Sequence, residues 1–162
     1  MKQLLVLRHA KSSWKDQSLA DFDRPLNKRG KKDAPRMGQL LADLDLVPDL
    51  IITSAAVRAR QTADAAAFNS GYEAEIEATR ELYMGMPDDY VEMLNQVPDS
   101  SALDMVVGHN PGVEDLVHDL SDQWERMPTA ALAFIELDVD SWQSLDLSSP
   151  GKLLNIWRPK EL

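Results

Sequence analysis

Residues 4–14 read LLVLRHAKSSW. Four apolar residues, Leu4-Leu5-Val6-Leu7, pass straight into Arg8-His9, with no turn signal between them. A run with no polar alternation has no solvent face, so it reads as a strand buried on both sides. Such a strand belongs to a sheet sandwiched between helices. A cation and an imidazole at its end are out of place in a core. They fit if that end opens on a crevice, because open α/β sheets bind ligands at the carboxyl ends of their strands.

The rest of the chain has the matching rhythm. After a polar loop to about Pro25, a helical stretch runs to about Leu46, with Ala34, Met37, Leu40, Leu41 and Leu44 at helical spacing. Pro35 either kinks it or sits in the first turn of a shorter helix capped by Asp33. A short apolar run, Asp49–Ile52, precedes an alanine-rich helix over 55–68. A weak strand at 75–79, a helix over 87–97 and a third apolar strand at 103–107 follow. Val113, Leu116, Val117 and Leu120 then form one helix face, and ALAFIELDV and LLNIW read as late strands. Strands alternating with helices predict a three-layer α/β fold with a mainly parallel central sheet and helices on both faces. One domain over 1–162 is expected, with no internal repeat.

Composition narrows the function classes. The chain has 162 residues, no cysteine and a net charge of −10. Disulfides and thiolate metal sites are excluded, and a cytoplasmic location is expected. No apolar run approaches the ~20 residues of a membrane span. A four-residue apolar run without a small-residue cleavage site predicts no secretory leader. So acidic a chain should repel nucleic acid and anionic membranes. Basic residues nevertheless cluster at Arg24, Lys28, Arg29, Lys31, Lys32 and Arg36. They read either as a solvated helix face or as a positive rim that draws in an anionic substrate.

Three predicted strands end alike. The first ends at Arg8-His9. The second ends at Thr53-Ser54, with Arg58 within about one helical turn. The third ends at Gly108-His109-Asn110-Pro111-Gly112. A parallel sheet gathers these ends on one edge, which puts Arg8, His9, Arg58 and His109 in one crevice. Arginine offers phosphate a planar fork of donors. A neutral imidazole is a competent nucleophile, and a second one can donate to the oxygens around phosphorus. The set reads as phosphoryl transfer through a phosphohistidine, without cofactor or metal. No two histidines sit at i, i+3 or i+4, so a histidine metal site is not expected.

These segments resemble the histidine phosphatase superfamily, relatives of the phosphoglycerate mutases. LRHAKSSW is similar to the family's Arg-His-Gly motif, with Ala10 in place of glycine. ITSAAVRARQTA and VVGHNPG are similar to its second and third motifs. The short length, DRPLNKRG, GHNPG and MPTAALAFIELD look most like the SixA-type phosphohistidine phosphatases. The resemblance implies a phosphoglycerate mutase-like fold and a phosphatase with His9 as the nucleophile. It implies a phosphate pocket of Arg8, Arg58 and His109. It also implies a phosphorylated protein partner, such as a phosphohistidine carrier, or a small phosphorylated molecule.

The lesser candidates are Glu81 in RELYMG as acid/base, against a surface residue opening a loop, and Ser12 as a phosphate or substrate donor. Asp88 is weaker, because PDDY reads as a helix start. Arg24 is a candidate for the pocket mouth, and Asn110 for a backbone or side-chain amide. Trp14 either covers the site or packs its loop, and His118 is expected to be exposed. The alternatives are a small-molecule phosphomonoesterase on the same site and a non-catalytic phospho-ligand binder. Mutase activity is not expected, since little chain is available to cover an intermediate.

Overall fold

The computed structural model describes residues 1–162. Its first strand, β1 (Lys2–Arg8), carries the opening apolar run. Leu4 and Val6 enter one hydrophobic cluster while Leu5 and Leu7 enter another, so the strand is buried on both faces. β1 pairs in parallel with β4 (Leu103–Gly108) and antiparallel with β5 (Leu132–Leu137). β2 (Leu50–Ser54) lies parallel between β4 and β3 (Ile76–Thr79). β6 (Gly151–Trp157) closes the other edge, antiparallel to β5. The resulting order is β3-β2-β4-β1-β5-β6.

Helices α1 (Lys28–Asp43) and α2 (Val57–Ser70) cover one face, where Met37, Leu41, Ala59 and Ala63 meet Leu5, Leu7 and Met105. Helices α3 (Pro87–Leu94) and α4 (Gly112–Ser121) cover the other, where Tyr90, Leu94, Leu116 and Val117 meet Leu4, Val6 and Val106. This is the expected three-layer α/β fold. Burying apolar side chains at roughly 1.5–3 kcal/mol each makes these two clusters the main stabilising term.

Several boundaries differ from the sequence reading. α1 starts at Lys28, where the Asn27 side chain accepts from the Gly30 amide at 2.9 Å. Pro35 lies inside this helix, so a shorter helix capped by Asp33 does not form. The missing proline donor is outweighed by the Asn27 cap and by burial of Ala34, Met37 and Leu41. Asp33 instead takes Arg29 and Arg36 as ion partners, at 3.6 and 3.4 Å. His118 is half-buried rather than exposed, stacked on Trp124 with ring centroids 3.6 Å apart. No helix is long and apolar enough to cross a membrane.

The parallel strands β1, β2 and β4 point their carboxyl ends to one edge, with Arg8 opposite Gly108 in register. Gly108 is required there. A Cβ on it would lie 1.9 Å from the Tyr90 hydroxyl, which accepts the His109 amide at 3.3 Å. Tyr90 thus fixes where β4 delivers His109.

Candidate active site

A cleft of about 380 Å³ opens at this edge. Its lining includes Arg8 and His9 from the end of β1, Arg58 from the first turn of α2, and His109 after β4. Ser12, Arg24 and Asn110 also line it. The two histidine rings lie 5.0 Å apart, tilted by 50°.

His9 is held in one orientation. Its Nδ1 lies 2.8 Å from the carbonyl oxygen of Ala10. A carbonyl only accepts, so Nδ1 carries the hydrogen and Nε2 keeps its lone pair. Burial is the main reason that the imidazole pKa falls to about 3, with the cationic neighbours Arg58 and Arg8 adding to it. The ring is therefore neutral at physiological pH, the state a nucleophile needs. The Ala10 amide donates to Thr62 Oγ1 at 2.9 Å, and Thr62 Oγ1 donates to the Arg58 carbonyl at 2.7 Å. One threonine thus ties the nucleophile's loop to the helix that bears the second arginine.

His109 is held through its other nitrogen. Nε2 lies 2.8 Å from Ser54 Oγ, which also accepts the Ala56 amide at 3.2 Å. Its pKa falls to about 4, mostly through burial and next through Arg58. Arg8 donates to the Met127 carbonyl at 3.0 Å. Buried polar side-chain atoms without a partner are rare in a finished core. Here they include Arg8 Nε, His109 Nδ1 and Asn110 Oδ1, all on cleft residues. The Ser54 hydroxyl can donate to Nε2, and in that tautomer His109 Nδ1 is a donor like Arg8 Nε. Unmet donors on Arg8 and His109, with Arg58 on the same wall, suit a tetrahedral oxyanion.

Arg58 is not idle. One terminal nitrogen donates to the Asp21 carbonyl at 2.7 Å and the other to Asp21 Oδ2 at 3.0 Å. Tyr83 donates to the same carboxylate oxygen at 2.6 Å, and Arg24 to Oδ1 at 2.9 Å. These donors hold the Asp21 pKa down at about 2, the Tyr83 bond contributing most. Asp21 sits in a short helical turn within the 11–25 loop, where no periodic pattern marks it.

The lesser candidates divide. Ser12 Oγ accepts from Arg24 at 2.5 Å, which leaves its own hydrogen available to a ligand. Arg24 also donates to the Ser13 carbonyl at 3.1 Å, so it organises the loop as well as lining the mouth. The Asn110 side-chain amide is spent on Glu114 and the Met127 carbonyl, at 3.0 and 3.1 Å, while its backbone amide has no backbone acceptor. Trp14 lies with its ring centroid 3.2 Å from the Arg24 guanidinium carbon. Glu81 is not brought to the cleft. The turn Arg80–Leu82 buries Leu82 and exposes Glu81, and Met84 lines the cleft in its place. Asp88 is exposed in the first turn of α3.

Comparison with known proteins agrees with this geometry. The sequence model of the histidine phosphatase superfamily (branch 1) matches residues 4–127. An uncharacterised chloroplast protein of Arabidopsis thaliana is 35% identical over 161 residues, covering 93% of this chain and 73% of that one. A candidate phosphohistidine phosphatase SixA from Agrobacterium tumefaciens superposes with a TM-score of 0.83 at 28% identity, covering 98% of both chains. Another from Nakamurella multipartitia gives 0.86 at 25% identity, covering 98% of this chain and 96% of that one. The chain belongs to the histidine phosphatase superfamily and is a phosphatase with a phosphoglycerate mutase-like fold.

Proposed function

We propose that this phosphatase works without a metal, passes the phosphoryl group through Nε2 of His9, and takes it from phosphohistidine on a protein. The observation that carries this reading is the Nδ1–Ala10 hydrogen bond at 2.8 Å on a neutral, buried ring. It leaves one free lone pair beside two arginines and a second imidazole. The arginines supply the positive charge, and no group of three or more His, Asp or Glu side chains is placed to hold a metal ion.

The leaving group follows from the acids in the cleft. An alkoxide needs a proton from a positioned acid. Asp21 is the one carboxylate on the cleft wall, and it is ionised and bound to Arg58. A phosphorylated imidazole carries a hydrogen on its other ring nitrogen near neutral pH and leaves as neutral imidazole. His9 Nε2 forms the new N–P bond as the substrate's N–P bond breaks, and no proton moves. His9 keeps its Nδ1 hydrogen on the Ala10 carbonyl, which also stabilises the positive ring of the phosphoenzyme. Water then breaks the His9 N–P bond, both its hydrogens leave on dihydrogen phosphate, and neutral His9 returns.

The SixA descriptions of the neighbours support the same substrate. We place the reaction in the cytoplasm, on a single domain, with Arg8, Arg58 and His109 as the phosphate pocket and Ser12, Arg24 and the Asn110 amide at its rim. A small-molecule esterase lacks its acid here, and a mere binder would not need an oriented nucleophile. The test compares a phosphohistidine peptide with glycerol phosphate. A preference of about 10² or more in kcat/KM for the peptide is expected, the size a missing general acid implies. Equal rates on the two would contradict it.

A further inference from the structure

The catalytic cleft continues into a second groove of about 840 Å³, with which it shares Lys11, Ser12 and Trp14. Lys11, Lys15, Lys28, Arg29 and Lys31 line it, and no Asp or Glu does. In a chain of net charge −10 this is a segregated patch. Arg29 has an ion partner, Asp33 at 3.6 Å, and the four lysines have none. α1 begins here, so the positive end of its dipole adds to their charge. Gly30 lets the loop lie on this helix start, since a Cβ there would come 2.2 Å from the Lys11 carbonyl oxygen. At the junction of the two hollows Trp14 is 68% exposed, with Arg24 stacked against it.

Lys11 lines both hollows, while Lys15, Lys28, Arg29 and Lys31 lie outside the catalytic cleft, so they meet what flanks the phosphoryl group. The groove is more than twice the size of the cleft, which suits a polypeptide better than a second small anion. An exposed tryptophan beside charges is a typical anchor of a protein interface. Nucleic acid would share the attraction to the lysines, but its long run of charge would also meet the acidic remainder of the surface. We propose that this groove docks an acidic segment of the protein that carries the phosphohistidine. The proposal rests on the phosphohistidine reading above and names the surface that would choose among such proteins.

The experiment uses the full chain with acetyl phosphate and two phosphohistidine peptides of equal length, one flanked by Asp and Glu, the other by Ser and Gly. The wild type is expected to favour the acidic peptide about tenfold in kcat/KM at low salt, with the preference fading at high salt. The double variant K28E/K31E should lose the preference and keep its acetyl phosphate turnover. Both changes are on the exposed first turn of α1, where acids suit the helix dipole, so the fold should persist. Equal use of the two peptides by the wild type would overturn the proposal, as would a preference that survives in the variant. Lost acetyl phosphate turnover in the variant would do the same by moving the lysines into the chemical step. If a single-stranded oligonucleotide competes better than the unphosphorylated acidic peptide, the groove belongs to nucleic acid. If neither phosphopeptide is dephosphorylated while acetyl phosphate is, the phosphohistidine reading fails and the docking proposal falls with it.

Discussion

Asp21 holds both arms of Arg58. Its carbonyl accepts from one terminal nitrogen at 2.7 Å and its Oδ2 from the other at 3.0 Å. These are the donors that a phosphoryl group would use. A ligand must share or displace the carboxylate, which Tyr83 steadies through the same Oδ2 at 2.6 Å. Substrate binding is thus an exchange of one anion for another. Asp21→Asn keeps an acceptor and removes the competing charge. Orthophosphate should then inhibit roughly threefold more tightly, the size of an exposed ion pair of up to about 1 kcal/mol. An inhibition constant that is unchanged or weaker would show that Asp21 does not compete.

Ser54 acts on the chemistry through His109. Ser54→Ala removes the partner of Nε2 and frees that ring to turn or change tautomer. Turnover of acetyl phosphate should fall about tenfold, in line with the roughly 1–2 kcal/mol of a hydrogen bond to a buried group. KM should change less than kcat. A wild-type kcat in this variant would separate Ser54 from the site.

Buried titrating groups pull stability in opposite directions with pH. His9 and His109 have folded pKa values of about 3 and 4, below the ~6.5 of an unfolded histidine. The unfolded chain therefore binds more protons below about pH 6.5, and stability is lost as pH falls through that value toward 4. Their ring resonances should not titrate between pH 5 and 8. Asp104, buried in β4, has its pKa raised by burial to about 6. Ser101 donates to its Oδ1, and its Oδ2 has no partner. The folded chain then holds the proton longer, so this carboxylate removes stability as pH rises from about 4 to about 6. Asp104→Asn should raise the unfolding free energy at pH 8 by about 1–3 kcal/mol and change it little at pH 4. Denaturant melts at the two pH values check this; an equal effect at both would refute it.

Glu81 faces solvent outside the cleft, so Glu81→Gln should leave turnover of phosphohistidine peptide within about twofold of wild type. A loss of tenfold or more would return Glu81 to the reaction as a proton donor.

The edge of the sheet was legible because it follows from buried strands. Leu4–Leu7, Leu50–Ile52 and Leu103–Val107 could only lie inside, and parallel packing then brought Arg8, Arg58 and His109 to one crevice. Thr62 was within reach too, one turn beyond Arg58 in a segment already singled out. The antiparallel pairing of β5 and β6 was not legible, since an apolar run carries no direction. Asp21 left no trace either. It sits in an aperiodic loop, and its role depends on two partners distant in sequence, Arg58 and Tyr83, besides its neighbour Arg24. Glu81 is the opposite case. Its neighbourhood has the family's spacing, but the choice between burying Leu82 and exposing Glu81 is made by the turn.

In the proposed reaction Nε2 of His9 carries the phosphoryl group. The direct measurement is a rapid-quench reaction with acetyl phosphate, followed by mass spectrometry at alkaline pH and phosphorus NMR of the trapped protein. An acid-labile, base-stable phosphate on Nε2 of His9, absent in His9→Ala, is the predicted result. Turnover without any label on His9, or a label on Nδ1, would contradict a phosphoryl group carried on Nε2.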